Sequence, residues 1–198
     1  ETTTTTGTTV VPTPTAPLAT AFEDLGLPEA LLRGILAQGF TQPTPVQAAA
    51  MPALLRGDDV VAEAPSGSGK TLAFAVPGLA AVDVAVNAPQ VLVVAPTGVL
   101  AQQTALVCEA LAQHMQPRPR IFAATAGARL PSAAGGRLQP QVIVATPMKL
   151  LDLCGLLPDG RGASQRSGGA AALSVQHVRV CVLDEADEFL DKPEFTEQ

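Results

Sequence analysis

The sequence predicts an α/β fold in which a mainly parallel sheet is covered by helices on both faces. Short β-branched runs, such as residues 91–95 (VLVVA) and 142–146 (VIVAT), alternate with longer segments of helical period. Continuous apolar runs of this length are typical of strands buried on both faces, and strands separated by helices pair in parallel. In addition, residues 60–71 read as a short apolar run, a glycine-serine loop and a helix start, which is the strand–loop–helix setting of a phosphate-binding loop.

Size and composition limit the possible classes of protein. The chain has 198 residues and 47% hydrophobic content, which suits one domain with a sizeable core. Because no apolar run reaches about 18–20 residues, we expect no membrane association. The net charge of −6 argues against a general electrostatic grip on nucleic acid, so any such site would be local. Three scattered cysteines (Cys108, Cys154 and Cys181) predict core thiols of an intracellular protein in a reducing compartment.

The first part of the chain predicts a tail and two helices. Residues 1–20 are rich in Thr and Pro and are expected to form a flexible tail, which leaves residues 21–198 for the domain. Pro28 followed by Glu29 suits a helix start, and Gly39 suits its end. Thr44 can cap a second helix that begins at Pro45.

The rest of the chain supplies the strands. A long helical pattern runs from Thr97 to Met115 after the first strand. Further strands are predicted at 121–125, 142–146 and 178–183. A Gly/Ser/Ala-rich stretch at about 158–175 has no period, and we expect a mobile surface loop there.

The glycine-serine loop carries the first candidate chemistry. Its glycines let several backbone N–H groups point into one concavity, which can hold phosphate oxygens together with a helix N-terminus. Lys70 would reach the β- and γ-phosphates, and the Thr71 hydroxyl would bind Mg²⁺. The usual motif begins with glycine where this chain has Ala64, so a glycine-serine turn with a chance lysine is the alternative. The loop residues predicted to bind nucleotide are Ser66, Gly67, Ser68, Gly69, Lys70 and Thr71.

Two acids follow the last predicted strand and would complete the site. Asp184 would lie at the carboxyl end of a parallel strand, where open sheets bind their ligands. There Asp184 can hold Mg²⁺, and Glu185 can orient or deprotonate a water in line with the γ-phosphate. The alternative is a solvated helix N-terminus, since acids favour that end of the helix dipole.

Residues 184–187 spell DEAD, and the chain from Phe22 onward resembles the first RecA-like domain of a DEAD-box RNA helicase. Residues 64–71 (APSGSGKT) resemble motif I, which commonly begins with Ala in this family. The remaining segments that resemble family motifs are residues 39–47 with Phe22 upstream (Q motif), 96–100 (motif Ia), Ala126-Gly127 (glycine doublet) and Thr146-Pro147 (motif Ib).

The resemblance implies a RecA-like P-loop domain that binds ATP and Mg²⁺, with Lys70, Asp184 and Glu185 as catalytic residues. It adds Phe22, Gln42 and Gln47 to the nucleotide site. The amide of Gln47 can donate and accept at once, which matches the N6/N7 edge of adenine, and Phe22 could stack on the base. The alternatives are a helix-capping amide for Gln47 and a core anchor for Phe22.

The implied RNA-binding residues lie in the less well preserved motifs. They are Pro96, Thr97, Gly127, Thr146, Pro147 and Lys149. Motif Ia usually carries Arg-Glu where Gly98-Val99 stand, and motif Ib usually ends in Gly-Arg where Met148-Lys149 stand. Phosphate contacts would therefore be lost or altered, and only Lys149 keeps a charge in these motifs.

The predicted function is that of an ATP-dependent RNA helicase, represented by its N-terminal domain. The resemblance implies RNA as partner, a second RecA-like domain in the same parent chain, and a monomer. The Ser-Ala-Thr motif would follow Gln198, so we expect an isolated fragment to be inactive or very slow and one sheet edge to be exposed. The alternatives are a diverged ATP-binding scaffold with weak RNA affinity and no unwinding, and a different P-loop NTPase.

Overall fold

The computed structural model describes residues 19–130, 139–156 and 173–190. The predicted tail falls almost wholly outside these ranges. So does the predicted loop at about 158–175, except for its last residues. One of these, Leu173, is 3% exposed and donates its N–H to the Leu153 carbonyl at 3.0 Å. Leu173 therefore belongs to the core, whereas the prediction of a loop up to residue 172 lies outside the described residues.

Four parallel strands form the sheet, in the spatial order β2-β3-β1-β4. Their order along the chain matches the prediction, and each is slightly shorter than its apolar run. The strands are β1 (Val91–Val94), β2 (Ile121–Ala124), β3 (Val142–Ala145) and β4 (Val180–Leu183).

Six α-helices connect and cover the strands in the described ranges. They are α1 (Glu29–Ala37), α2 (Pro45–Arg56), α3 (Lys70–Ala80), α4 (Gly98–Leu111), α5 (Pro147–Cys154) and α6 (Ala186–Leu190). Short 3-10 helices at Phe22–Leu25 and Ala112–His114 precede α1 and extend α4. None of the helices in these ranges has the length and apolarity that a bilayer span requires.

Alternating strand residues divide the core into two clusters, one on each face of the sheet. Val91 and Val93 of β1 lie in the larger cluster with α1, α3 and α4, whereas Leu92 lies in a smaller cluster with α5. This is the period of two that strand geometry imposes. The prediction of a parallel sheet with helices on both faces is confirmed, although one cluster is much the larger.

The segment before the phosphate-binding loop is not a strand. Residues 60–64 pair with none of the four described strands, and Val61 is 72% exposed. A β-strand requires backbone hydrogen bonds to a neighbouring strand. Within the described ranges, β4 pairs with β1 on one side and with no strand on its other side. As expected, β4 is an exposed edge, with Leu183 61% exposed.

Buried glutamines tie a loop to the amino ends of the strands. The Gln90 amide accepts from the Asp83 N–H at 2.9 Å and donates to the Asp83 carbonyl at 2.7 Å. The Gln141 amide accepts from the Arg120 N–H at 2.9 Å and donates to the Val86 carbonyl at 3.1 Å. These contacts satisfy polar groups that would be costly to bury alone. These hydrogen bonds hold the amino ends of the strands, which lie at the opposite end of the sheet from the candidate site.

The cysteines only partly follow their prediction. Cys108 is buried, and burial raises the pKa of its thiol to about 12, so it is an inert core group. Cys154 is half-buried, and Cys181 is exposed on the edge strand β4. All three are free thiols.

Gly34 marks the closest approach between α1 and the end of α4. A Cβ at this position would collide with the Leu111 carbonyl oxygen. We expect Gly34→Ala to lower the free energy of unfolding by about 2–3 kcal/mol, because backbone must shift to accept the methyl group. Urea denaturation of both variants measures this, with Gly98→Ala as control. At Gly98 the nearest atom is a Thr125 carbon at 3.6 Å, so stability should barely change. Equal losses in the two variants would contradict the steric explanation.

Candidate nucleotide site and RNA edge

The glycine-serine loop turns tightly into α3. The Ser68 N–H donates to the Pro65 carbonyl at 3.2 Å, and Gly67 and Gly69 have φ values of 77° and 90°. Such φ values favour glycine, and a Cβ on Gly69 would also collide with the Gln47 amide. Gly69 caps α3, which begins at Lys70. The loop therefore lies at the N-terminus of an 11-residue helix, where anions are favoured.

Lys70 connects this loop to the acids after β4. Its Nζ donates to the Ala64 carbonyl at 2.9 Å and lies 3.5 Å from Glu185 Oε2. The two side chains are 24% and 35% exposed, so the pair is reachable from solvent. The predicted convergence of loop, ammonium group and acids on one rim of the sheet is present in the structure.

Asp184 and Glu185 are held by the end of the sheet. The Asp184 N–H donates to the Val94 carbonyl at 2.9 Å, which extends the β1–β4 pairing by one residue. Glu185 has a φ of 51°, a left-handed conformation that costs a non-glycine residue about 1–3 kcal/mol. Such strain is often found at functional sites and here turns the Glu185 side chain toward Lys70.

Burial raises the pKa of the Asp184 carboxyl, and the Glu185 charge raises it further. A hydrogen bond from the Glu185 backbone and the nearby Lys70 ammonium act in the opposite direction. An acid in this setting gains from an added cation, since a positive charge favours the ionised form. Among the described residues, no group of three or more His, Cys, Asp or Glu side chains could hold a metal ion, so a divalent metal at Asp184 would need other oxygen ligands, such as the Thr71 hydroxyl and the phosphates.

Ser68 offers a second sign of fit to a ligand. Its hydroxyl oxygen is buried and has no hydrogen-bond partner within the described part of the chain. A buried polar atom left unpaired is costly, and phosphate oxygens accept from hydroxyl groups. The position of Ser68 in the loop is that predicted for a nucleotide contact.

Gln47 is 2% exposed and bridges two segments of the site. Its Oε1 accepts from the Thr44 N–H at 2.9 Å, and its Nε2 donates to the Gly69 carbonyl at 3.0 Å. This is the helix-capping alternative, with an added contact to the phosphate-binding loop that the sequence did not reveal. The amide retains one hydrogen and one lone pair, so recognition of adenine stays a prediction.

Phe22 and Gln42 do not take part in the hydrogen bonds that Gln47 makes with Thr44 and Gly69. Phe22 is 0% exposed and belongs to the larger core cluster. The ring is a core anchor in this structure, which is the alternative interpretation of this residue, and its stacking on adenine stays a prediction. Gln42 is exposed in the connection between α1 and α2, and its nucleotide contact stays a prediction.

The predicted RNA-binding residues lie together beyond the carboxyl ends of β1, β2 and β3. We call this group (Pro96, Thr97, Gly127, Thr146, Pro147 and Lys149) the RNA edge. Thr97 and Thr146 are the N-caps of α4 and α5, and Gly127 has a φ of 78°. The helix starts leave backbone N–H groups that can contact phosphates.

Lys149 is not a free cation. Its Nζ lies 2.7 Å from Asp152 Oδ2, with the two side chains 17% and 24% exposed. An acid three residues after a lysine on a helix is a recognisable signal, since such side chains are neighbours. Lys149 keeps the charge that was predicted for it, but in this structure the charge is paired with Asp152, and its contact with RNA stays a prediction.

Comparison with known proteins agrees with the geometry. The family model described as "DEAD/DEAH box helicase" matches residues 44–198. This chain belongs to the DEAD/DEAH box helicase family. The prediction made from the DEAD residues and the accompanying motifs is thus confirmed.

Relatives within the DEAD/DEAH box family cover most of the chain. The ATP-dependent RNA helicase DeaD of Haemophilus influenzae is 41% identical over 85% of this chain and 25% of its own length. The ATP-dependent RNA helicase eIF4A of Candida glabrata is 36% identical over 85% of this chain and 39% of its own length. This chain therefore spans only a quarter to two-fifths of such relatives.

A solved structure of a DEAD-box protein shares the fold. Saccharomyces cerevisiae Dbp5 bound to RNA and ADP BeF3 is 30% identical, with a TM-score of 0.72, over 90% of this chain and 41% of that one. The predicted RecA-like α/β fold is confirmed by this similarity.

Proposed function

We propose that this chain is the N-terminal, ATP-binding domain of an ATP-dependent RNA helicase. The observation that carries the proposal is the 3.5 Å contact between Lys70 Nζ and Glu185 Oε2. It joins the phosphate-binding loop to the acids of the DEAD sequence across the sheet. The names of the relatives and the RNA and ADP BeF3 bound to Dbp5 support the assignment.

Each group at the site has a distinct task in this proposal. Backbone N–H groups of residues 66–71 hold the phosphates, and the Lys70 ammonium exchanges its protein contacts for phosphate oxygens. Thr71 and Asp184 would hold Mg²⁺, which would offset negative charge on the phosphates when bound. Glu185 accepts a proton from the attacking water. The change of partner by Lys70 is what would free Glu185 for this task.

The complete reaction requires more than this domain. We propose that a second RecA-like domain of the parent chain adds cations that stabilise charge on the γ-phosphate. Without it the domain should bind nucleotide weakly and hydrolyse it slowly or not at all. We also propose that the protein acts as a monomer within a reducing intracellular compartment, and the three free thiols support that location.

RNA-stimulated ATPase activity of the full-length protein tests the proposal. At low salt, single-stranded RNA should raise kcat by about tenfold or more, since closure on RNA completes the catalytic site. Equal rates with and without RNA would contradict a helicase.

An ATP-binding scaffold with weak RNA affinity is the second candidate. The Lys149–Asp152 pair and the apolar exposed side chains of Val99 and Met148, 66% and 50% exposed, favour it. Filter retention of labelled RNA separates the two candidates. Tight retention that depends on ATP would refute the scaffold.

Substitution of Gln47 tests whether this residue recognises the adenine base. Gln47→Ala should reduce the preference for ATP over GTP by about tenfold, because one amide contact to the adenine edge is worth about 1–2 kcal/mol. The ratio of the two dissociation constants measures it. Gln90→Ala is the control, because it removes an equally buried glutamine at the amino end of β1, away from the candidate site. An unchanged ratio would leave Gln47 with its bridging role alone.

A further inference from the structure

The cations near the RNA edge differ in availability. Within the described ranges, two follow the carboxyl ends of β2 and β3, namely Arg129 and Lys149. Lys149 is engaged with Asp152 at 2.7 Å in a partly buried pair. If its ammonium moved to a phosphate, this short and partly buried ion pair would have to separate, which is costly. Lys149 is therefore a poor phosphate ligand.

Arg129 is exposed, and no hydrogen bond or ion pair is formed by it among the described residues. It stands two residues after Gly127, in a turn where the Ala128 N–H donates to the Thr125 carbonyl at 3.0 Å. The next residue, Leu130, packs into the smaller core cluster with Leu153 of α5. This packing anchors the turn beside α5, so Arg129 is attached to a fixed part of the RNA edge.

The edge also positions the backbone on which a phosphate would rest. The Thr146 N–H donates to the Ala124 carbonyl at 3.3 Å, so the turn after β2 and the start of α5 leave adjacent strands. An arginine here could form two parallel hydrogen bonds to one phosphate, which a lysine cannot match.

We propose that Arg129, and not Lys149, is the cationic RNA-backbone contact of this edge, and that Asp152 withholds Lys149 from RNA. The inference rests on the proposed RNA-binding function. It assigns the phosphate-binding charge of this surface to Arg129, which is not one of the six residues of the RNA edge.

Titration of a fluorescein-labelled single-stranded oligouridylate tests this in the full-length protein with ADP·BeF3 and Mg²⁺. Anisotropy is followed at several KCl concentrations. Arg129→Gln should weaken binding about 5- to 10-fold at low salt and reduce the slope of log K against log salt by about 0.7. Lys149→Gln should change affinity less than about twofold, and Asp152→Asn should strengthen binding by releasing the ammonium group.

Arg33→Gln is the charge-matched control. Arg33 is exposed on α1, which packs at the far end of α4, about 20 Å from the RNA edge. Arg129→Lys should restore the salt slope without the full affinity, and thermal melting of every variant excludes loss of folding.

The outcomes separate this inference from the proposed function. If wild type binds RNA and Arg129→Gln behaves like Arg33→Gln, the assignment of Arg129 is overturned alone. A loss in Lys149→Gln as large as that in Arg129→Gln also overturns it. If wild type binds no RNA under any condition, the proposed function fails and this inference fails with it.

Discussion

Lys70→Ala is expected to weaken ATP binding by about 100-fold or more. Lys70 directly follows the turn of the phosphate-binding loop, and charge-assisted contacts to two phosphates are worth about 3 kcal/mol or more together. The substitution also removes the 3.5 Å contact between Lys70 Nζ and Glu185 Oε2, so the two acids would face the triphosphate without the cation that pairs with them in this structure. Both effects weaken the binding of ATP.

Fluorescence titration with a labelled ATP analogue in the full-length protein measures this loss. Lys149→Ala is the matched control, since it removes the same group from α5. Its nucleotide affinity should equal that of wild type. Wild-type affinity in Lys70→Ala would contradict the assignment of the loop.

Glu185→Gln is expected to retain ATP binding and to lower kcat by about 100- to 10,000-fold, the range for loss of a general base. The amide is nearly isosteric but cannot accept the proton of the attacking water. ATP affinity should stay within about threefold of wild type, because the loop and Lys70 remain.

Single-turnover hydrolysis with RNA present separates chemistry from binding for this variant. Glu188→Gln is the control, because Glu188 is an exposed acid three residues later on α6. It should hydrolyse ATP at the wild-type rate. Normal turnover by Glu185→Gln would remove Glu185 from the chemistry.

The elements that could be predicted are those specified by local patterns. The β-branched runs specified four strands in the right order, and Thr44 with Pro45 specified the start of α2. The acids of residues 184–185 were predictable because they follow a parallel strand at its carboxyl end, and the phosphate-binding loop because its glycines and Lys70 stand at a helix start. At these positions the local sequence pattern and the tertiary fold favour the same structure.

The features that could not be predicted depend on tertiary partners. The apolar run at residues 60–64 has strand composition, but a strand also needs a neighbour, and the described residues provide none. Phe22 has the chemistry to stack on a base, yet its burial is decided by the packing of α1 and the sheet. The Gln47 contact to Gly69 joins residues far apart in the chain, which no periodicity reveals.

The pairing of Lys149 with Asp152 was missed for a different reason. Motif comparison scores one residue at a time, whereas the Lys149–Asp152 pair depends on two residues that share a helix face. Arg129 was overlooked because it lies outside the motifs, although its place in the turn after Gly127 was readable from the sequence.

The central claim is that one site holds the triphosphate between the phosphate-binding loop and the two acids. A crystal structure of the full-length protein with ADP·BeF3 and Mg²⁺ tests it most directly. We predict phosphate oxygens on the N–H groups of residues 66–71 and on Lys70, with the metal near Thr71 and Asp184. Phosphates bound elsewhere, or a Lys70–Glu185 contact that persists beside the bound nucleotide, would contradict this account.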